Sequence, residues 1–290
     1  MKAIKFILIM LISGISHVGM GEIYVQSKPG SSPSEHPIHQ FIIGEKLKNQ
    51  AVETKALASN YDQIIHKLER IRSRKKSDLS FLRSIFYRVH KNSLVDYSKM
   101  ATMDETLMKG EFGCLTGTAL YALILDHFGF EYNIIELTNH VYAQVEVEGR
   151  LIIMESTLPE DGLMRLEQEI STSMEQEGLD PRNIRALTTV GEGSDEWDLV
   201  DGYNSITIKE LSGLQYFNEA VRLFKQEEYT KAMEMINVAY DRYPSKRNEK
   251  LMQLVINKIL KYDLIKEEVK NKYLTQYVKL VKRKKLSQTK

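Results

Sequence analysis

The 290-residue sequence predicts an α+β fold: a helical lobe packed on an antiparallel sheet, followed by an all-α helical unit. Three observations predict it. Apolar residues keep helical spacing as far as Phe128, alternate as in strands from Tyr132 to Thr157 around a Glu148-Gly149 turn, and return to helical spacing from Leu214 onward. With 42% apolar and 27% charged residues the chain has the mix of a soluble globular protein of about two domains. Forty Lys and Arg against 39 Asp and Glu give a net charge of +1, which excludes the global basic field of a dedicated nucleic-acid binder and the acid excess of a disordered solvating chain.

Residues 1–21 are predicted to be a signal peptide. Lys2 and Lys5 give a positive start, Phe6 to Ile12 is an unbroken apolar run, and Gly19 and Gly21 offer small residues at a cleavage site before Glu22. Ser13, Gly14 and Ser16 interrupt the run short of the ~20 residues of a spanning helix, with an uncleaved anchor as the alternative. No Cys follows to carry a lipid. The expected location is therefore exported, periplasmic or extracellular, without lipidation, and membrane contact arises only through an uncleaved signal segment.

Residues 22–187 read as one domain with its core at 81–162. Ile38 to Asn60 and Tyr61 to Arg74 carry helical spacing, with Ile64, Ile65, Leu68 and Ile71 on one face, and Arg70, Arg72, Arg74, Lys75 and Lys76 read as its wet face and end. Ser77-Asp78 can cap a helix running through Phe86 to about Lys91, and Asp104 to Lys109 is short and helical in character. Gly110 to Gly113 then break the pattern immediately before Cys114, the sole cysteine, and Leu115 to Phe128 forms a helix ended by Gly129. This helix is apolar on most sides and so should be central and buried. Cys114 at its start meets unpaired N–H groups and the positive end of the helix dipole, both of which favour a thiolate and can hold an oxyanion.

After Gly129 strands are predicted at Tyr132 to Leu137, His140 to Val147 and Leu151 to Thr157. A two-residue Glu148-Gly149 turn pairs Val147 with Arg150, Gln144 with Ile153, Tyr142 with Glu155 and His140 with Thr157. His140, Tyr142 and Glu155 then share a face, with Glu155 a diagonal neighbour of His140. A thiol at a helix end, an imidazole on a strand and a carboxylate beside it are the parts of an activated nucleophile. Asn139 and Tyr142 are candidate substrate contacts, while His90 and His127 read as ordinary helix residues. No cluster has metal-ligand spacing, and no cofactor is implied.

The blocks Gly113-Cys114-Leu115-Thr116-Gly117-Thr118-Ala119, Asn139-His140-Val141-Tyr142-Ala143 and Met154-Glu155-Ser156-Thr157 resemble the core of the transglutaminase-like superfamily, and in particular the exported transglutaminase-like proteins common in Bacteroidetes. The resemblance covers about residues 81–162 and implies a papain/transglutaminase-like helical lobe on an antiparallel sheet, with Cys114 as nucleophile, His140 as general base and Glu155 where the family usually has Asp. It implies an exported cysteine hydrolase or acyltransferase acting on peptide or glutamine-type amide bonds of a protein or peptide substrate. Nothing in the residues selects water or an amine as acceptor. The alternative is a catalytically inactive scaffold that binds a protein or peptide partner in the same cleft.

Residues 188–212, acidic and holding Gly191, Gly193 and Gly202, read as a linker or a loop edging the cleft, with Trp197 inside it. In 213–281, Ala220, Leu223, Tyr229, Ala232, Ile236, Ala239 and Pro244 fall at the offsets of a 34-residue helix-turn-helix repeat and resemble a tetratricopeptide repeat. Leu251 to Tyr262 and Glu267 to Val281 read as capping helices. One repeat cannot stand alone, so this unit should dock on the preceding domain, either as plain packing or as a groove for a protein partner. Residues 282–290 read as a solvated basic tail, with nucleic acid or anionic lipid as its minor alternative; the chain as a whole is expected to bind no nucleic acid.

Overall fold

The structure, a computed structural model, describes residues 36–43, 50–165 and 204–288. The signal segment at 1–21, residues 166–187 and the linker up to 203 with Trp197 lie outside the described residues.

A 3-10 turn (Pro37–Phe41) precedes the long helix α1 (Gln50–Arg72) and α2 (Asp78–Ser93). Ser77 accepts a hydrogen bond from the Ser80 N–H and so starts α2 where the sequence places a cap. A short strand β1 (Asp96–Tyr97), helix α3 (Met103–Lys109) and strand β2 (Glu111–Phe112) follow, with β1 and β2 paired in parallel. Helix α4 (Cys114–Phe128) comes next, and Gly129 ends it in the left-handed conformation that favours glycine.

The sheet is five-stranded and antiparallel, in the order β6-β5-β4-β3-β7. Its strands are β3 (Glu131–Leu137), β4 (His140–Val147), β5 (Arg150–Met154), β6 (Leu163–Arg165) and β7 (Asn204–Ile206). Glu148 and Gly149 both have positive φ, as a two-residue hairpin turn requires. The ladder pairs Val147 with Arg150 and Gln144 with Ile153 as predicted. It ends one step later, at Ala143 and Met154. The expected pairings of Tyr142 with Glu155 and His140 with Thr157 do not form, because the chain leaves the strand at Glu155 for a turn closed by Glu155 N–H on the Gly162 carbonyl at 2.7 Å. Leu163 to Arg165 forms edge strand β6 against β5.

The end of the expected linker is ordered too. Residues 204–206 form β7 against β3, and Thr207 caps helix α5 (Ile208–Lys225) five residues before the predicted unit boundary. Helices α6 (Tyr229–Arg242), α7 (Lys246–Lys261) and α8 (Glu267–Gln288) complete the chain. Ala220, Ala232 and Ala239 are completely buried, the small contacts that let α5 and α6 approach, and Pro244 stands just past the end of α6. The basic residues expected as a tail continue α8 as far as Gln288, since Lys and Arg are good helix formers and no breaker intervenes.

The helical unit shares elements with the α+β body. Ile208, Leu211 and Leu214 of α5 belong to the core that α1, α2, α4 and one sheet face enclose, whereas Phe217, Ala220 and Val221 belong to the core of the helical unit. A polar bridge crosses the same boundary. Glu136 on β3 is completely buried and meets Arg247 of α7 at 3.3 Å and the Tyr243 hydroxyl, while Arg247 also donates to the Thr138 carbonyl at 2.7 Å. Burial pushes the Glu136 carboxyl up, and Arg247 and Tyr243 offset part of that rise. Removing Arg247 alone strands a buried carboxylate. Arg247→Ala should therefore lower the unfolding free energy in urea by about 3–5 kcal/mol, whereas a combined Glu136→Leu and Arg247→Met variant should lie close to wild type.

Candidate active site

Cys114 occupies the first position of α4, with the Gly117 N–H to Gly113 carbonyl bond as the first of its helical ladder. The Cys114 N–H is thus one of the helix's unladdered donors. Thr116 holds the preceding residue by accepting the Gly113 N–H at 3.1 Å. Residue Cys114 is half-buried, at a cleft of about 110 Å³ that Asn139, His140 and Val141 also line.

His140 opens β4. Thr118 of α4 donates to the Val141 carbonyl at 3.1 Å, which fixes the start of that strand against the helix. The His140 imidazole hydrogen-bonds Glu155 Oε2 through Nε2, and the Cys114 thiol is the ring's other side-chain partner. With Nε2 committed to the carboxylate, Nδ1 is the nitrogen left for the thiol. The three residues the sequence singles out therefore form one row, thiol to imidazole to carboxylate.

Glu155 reaches His140 from a turn, where the sequence places a strand. Its carboxylate is buried, and Oε1 accepts from the Thr157 N–H at 2.9 Å and the Thr157 hydroxyl at 2.6 Å. Every acceptor of a buried carboxylate must be satisfied, and here the turn does so locally. Two glycines permit the backbone path. A Cβ on Gly162 would stand 2.2 Å from the Glu155 carbonyl oxygen, and one on Gly117 would stand 2.6 Å from the Ser156 side chain, so α4 and the turn can close on each other only without those side chains. His90 of α2, read from sequence as an ordinary helix residue, donates from Nε2 to the Ser156 carbonyl at 2.9 Å and holds the turn from the other side.

The electrostatics follow from this row. Burial pushes the Cys114 thiol up, but the His140 hydrogen bond and charge outweigh it, helped by the Val141 N–H, and the net shift is down. For His140, burial alone favours the neutral ring, and the Cys114 and Glu155 partners reverse this so that the imidazolium is favoured well beyond the ordinary range. The two titrate as a coupled thiolate–imidazolium pair.

Of the candidate substrate contacts, Asn139 lines the cleft. Tyr142 does not: it is completely buried with Ile135, Leu137 and Ile153, and its ring centroid lies 6.3 Å from that of His140, because its side chain enters a small core of its own. The far wall of the cleft comes from the helical unit, through Leu214, Phe217, Asn218 and Val221 of α5 and Arg247 of α7. Sequence reasoning missed these. Their i, i+3, i+4, i+7 spacing signals only a face turned inward, and nothing in it says that the neighbour is Cys114. Among the described residues no group of three or more His, Cys, Asp or Glu could hold a metal, and no helix is long and apolar enough to cross a membrane. Comparison of the chain with family models, curated proteins and solved structures finds no match.

Glu155→Gln keeps the shape of the side chain and removes the charge that favours the imidazolium. The His140 pKa, followed by NMR of the ring protons, should fall in this variant toward the ordinary ~6.5.

Proposed function

We propose that the protein is an exported transglutaminase-like cysteine hydrolase or acyltransferase, acting on peptide or glutamine-type amide bonds through an acyl-enzyme. The observation that carries the reading is the Cys114–His140–Glu155 row at the N-terminus of a buried helix. The finer fold, a papain/transglutaminase-like lobe with a tetratricopeptide-like unit after it, is supported by the thiol's place on the helix, the imidazole's on the sheet beside it and the close antiparallel pair α5 and α6. Export rests on the signal pattern of residues 1–21.

In this mechanism His140 Nδ1 accepts the Cys114 proton and the thiolate attacks the amide carbonyl carbon. The carbonyl electron pair moves onto oxygen, which the Cys114 N–H meets at the positive end of α4. Collapse of the tetrahedral adduct reforms the carbonyl and expels the amine, which leaves with the imidazolium proton. Water or a second amine then gives a proton to His140, attacks the thioester and releases the thiol. Glu155 keeps the Nε2 proton in place, so Nδ1 faces the sulfur throughout.

One observation favours a second reading, a catalytically silent scaffold that binds a protein or peptide partner. The cleft's 110 Å³ lies well below the ~300–1,000 Å³ of ordinary small-molecule sites. The pH dependence of Cys114 alkylation by iodoacetamide separates the two. A depressed thiol pKa keeps thiolate present below the usual range and loses it only as pH falls through the lowered value. The wild-type rate should therefore reach its plateau below the ~8.5 of a free thiol, and His140→Ala should need a higher pH. Slow and equal rates in both proteins would decide for the scaffold.

A further inference from the structure

A groove of about 750 Å³ opens between α1, α2 and α3. Five cations line it, Lys67 and Arg70 on α1, Arg74 just past its end, Arg88 on α2 and Lys109 on α3, and among the described residues its lining includes no carboxylate. The whole chain is charge-balanced at +1, so this is a local concentration. Lys109 lies 3.8 Å from Glu111, but Lys67, Arg70, Arg74 and Arg88 form no ion pair among the described residues. A helix with a merely wet basic face points its charges apart into solvent. Here three separate helices bring theirs around one concavity.

The floor of the groove is apolar, through half-buried Ile64, Ile71 and Leu107, and its rim carries Val95 and Met108, which are 61% and 55% exposed. The groove is also joined to the thiol. Val95 and Gly110 line it, and from them β1 and β2 run side by side in the same direction, with Ser98 N–H on the Phe112 carbonyl at 2.7 Å. At their other end Lys99, Met100 and Cys114 line the cleft. The four residue steps from Gly110 to Cys114 span at most roughly 13 Å. Along that path Tyr97 and Met100 stay exposed, at 59% and 37%.

We propose that this groove is an exosite for an acidic polypeptide segment interspersed with apolar residues, which holds a protein substrate so that its reacting residue reaches Cys114. The proposal rests on the acyl-transfer reading and names the class of substrate for it. The cations supply long-range attraction and orientation, and the floor and rim supply apolar burial. A simple anion would not use the floor. A nucleic acid would find no aromatic side chain among the described residues of the lining on which to stack a base, and a flat bilayer cannot follow a concave floor.

The test measures fluorescence anisotropy with a labelled peptide of repeating Glu-Glu-Leu and with its Lys-for-Glu counterpart, alongside competition by heparin and by phosphatidylserine vesicles. Both peptides are also made with a terminal chloroacetamide, so that the rate of Cys114 modification reports delivery to the thiol. The acidic peptide should bind, weaken in high salt, and weaken about tenfold in an Arg74→Glu and Arg88→Glu double variant. Its chloroacetamide form should modify Cys114 about tenfold faster than the basic form, and lose that advantage in the variant, whose iodoacetamide rate stays at the wild-type value. Arg74→Gln with Arg88→Gln gives the same readout if the charge reversal fails to fold. Equal binding of the two peptides, binding of heparin or vesicles through Arg74 and Arg88 without the acidic peptide, or binding with no faster modification each overturns the proposal. Failure of the underlying thiolate reading shows separately, as equal iodoacetamide rates in wild type and His140→Ala, and leaves the anisotropy result intact.

Discussion

A helix that is apolar on nearly every side cannot lie on a protein surface, and α4 obliges the rest of the chain to enclose it. Every residue from Leu115 to Leu125 is buried. The sheet covers α4 through β3 and β4, α5 covers another flank, and Tyr61 of α1 and Tyr121 of α4 tie it to its helical neighbours by donating to the Leu123 and Phe86 carbonyls at 3.0 and 3.2 Å. The hydrophobic effect is non-directional, so these tyrosine bonds and the Thr118 contact to β4 are what give the enclosed helix one rotation and one depth. Cys114 inherits its position from that. It is the point at which a fully enclosed helix first reaches the surface.

The polar groups around the site follow a consistent pattern, each buried charge meeting a partner from another element. Glu155 is held by its own turn and by His140, and Glu136 by Arg247 and Tyr243. Such groups cost desolvation, and an apolar replacement would often be as stable, so their value lies in specifying geometry. The Arg247 bond to the Thr138 carbonyl shows this, because it fixes from α7 the turn that carries Asn139 and His140. The helical unit thus sets the position of the imidazole as well as walling the cleft.

The sequence makes local order legible and long-range closure much less so. The Ser77 cap, the Gly129 stop, the Glu148-Gly149 turn and the β4–β5 register were all readable, because each depends on side chains within a few positions of one another. Cys114, His140 and Glu155 were also readable as a group, through a helix start and a hairpin. The path of Glu155 was not. Its departure from the strand depends on Gly162 and Gly117 allowing two backbones to meet, and a glycine in sequence does not announce which remote carbonyl it approaches. Tyr142 misled for the converse reason: period-two alternation gives its face of the strand, but not that this face has its own core. Phe217, Asn218 and Arg247 at the cleft come from a segment some hundred residues beyond the thiol, and contacts between distant elements, the β7 pairing to β3 and the Glu136–Arg247 pair among them, bring them there.

The size of the cleft constrains how any acyl transfer here gains its rate. A space of 110 Å³ between α4, the β3–β4 turn and α5 admits little beyond the reacting group and its nearest neighbours. Catalysis requires interactions that strengthen at the transition state, and an enzyme commonly draws the energy for orientation from parts of the substrate remote from the reacting bond. With so little contact area at the thiol, that energy has to come from outside the cleft. The charged groove at the far end of the β1–β2 ribbon is large enough to supply it, and the ribbon is short and hydrogen-bonded, so a segment seated there would have a defined reach to the sulfur. A narrow cleft and a distant groove are, in energetic terms, two halves of one requirement.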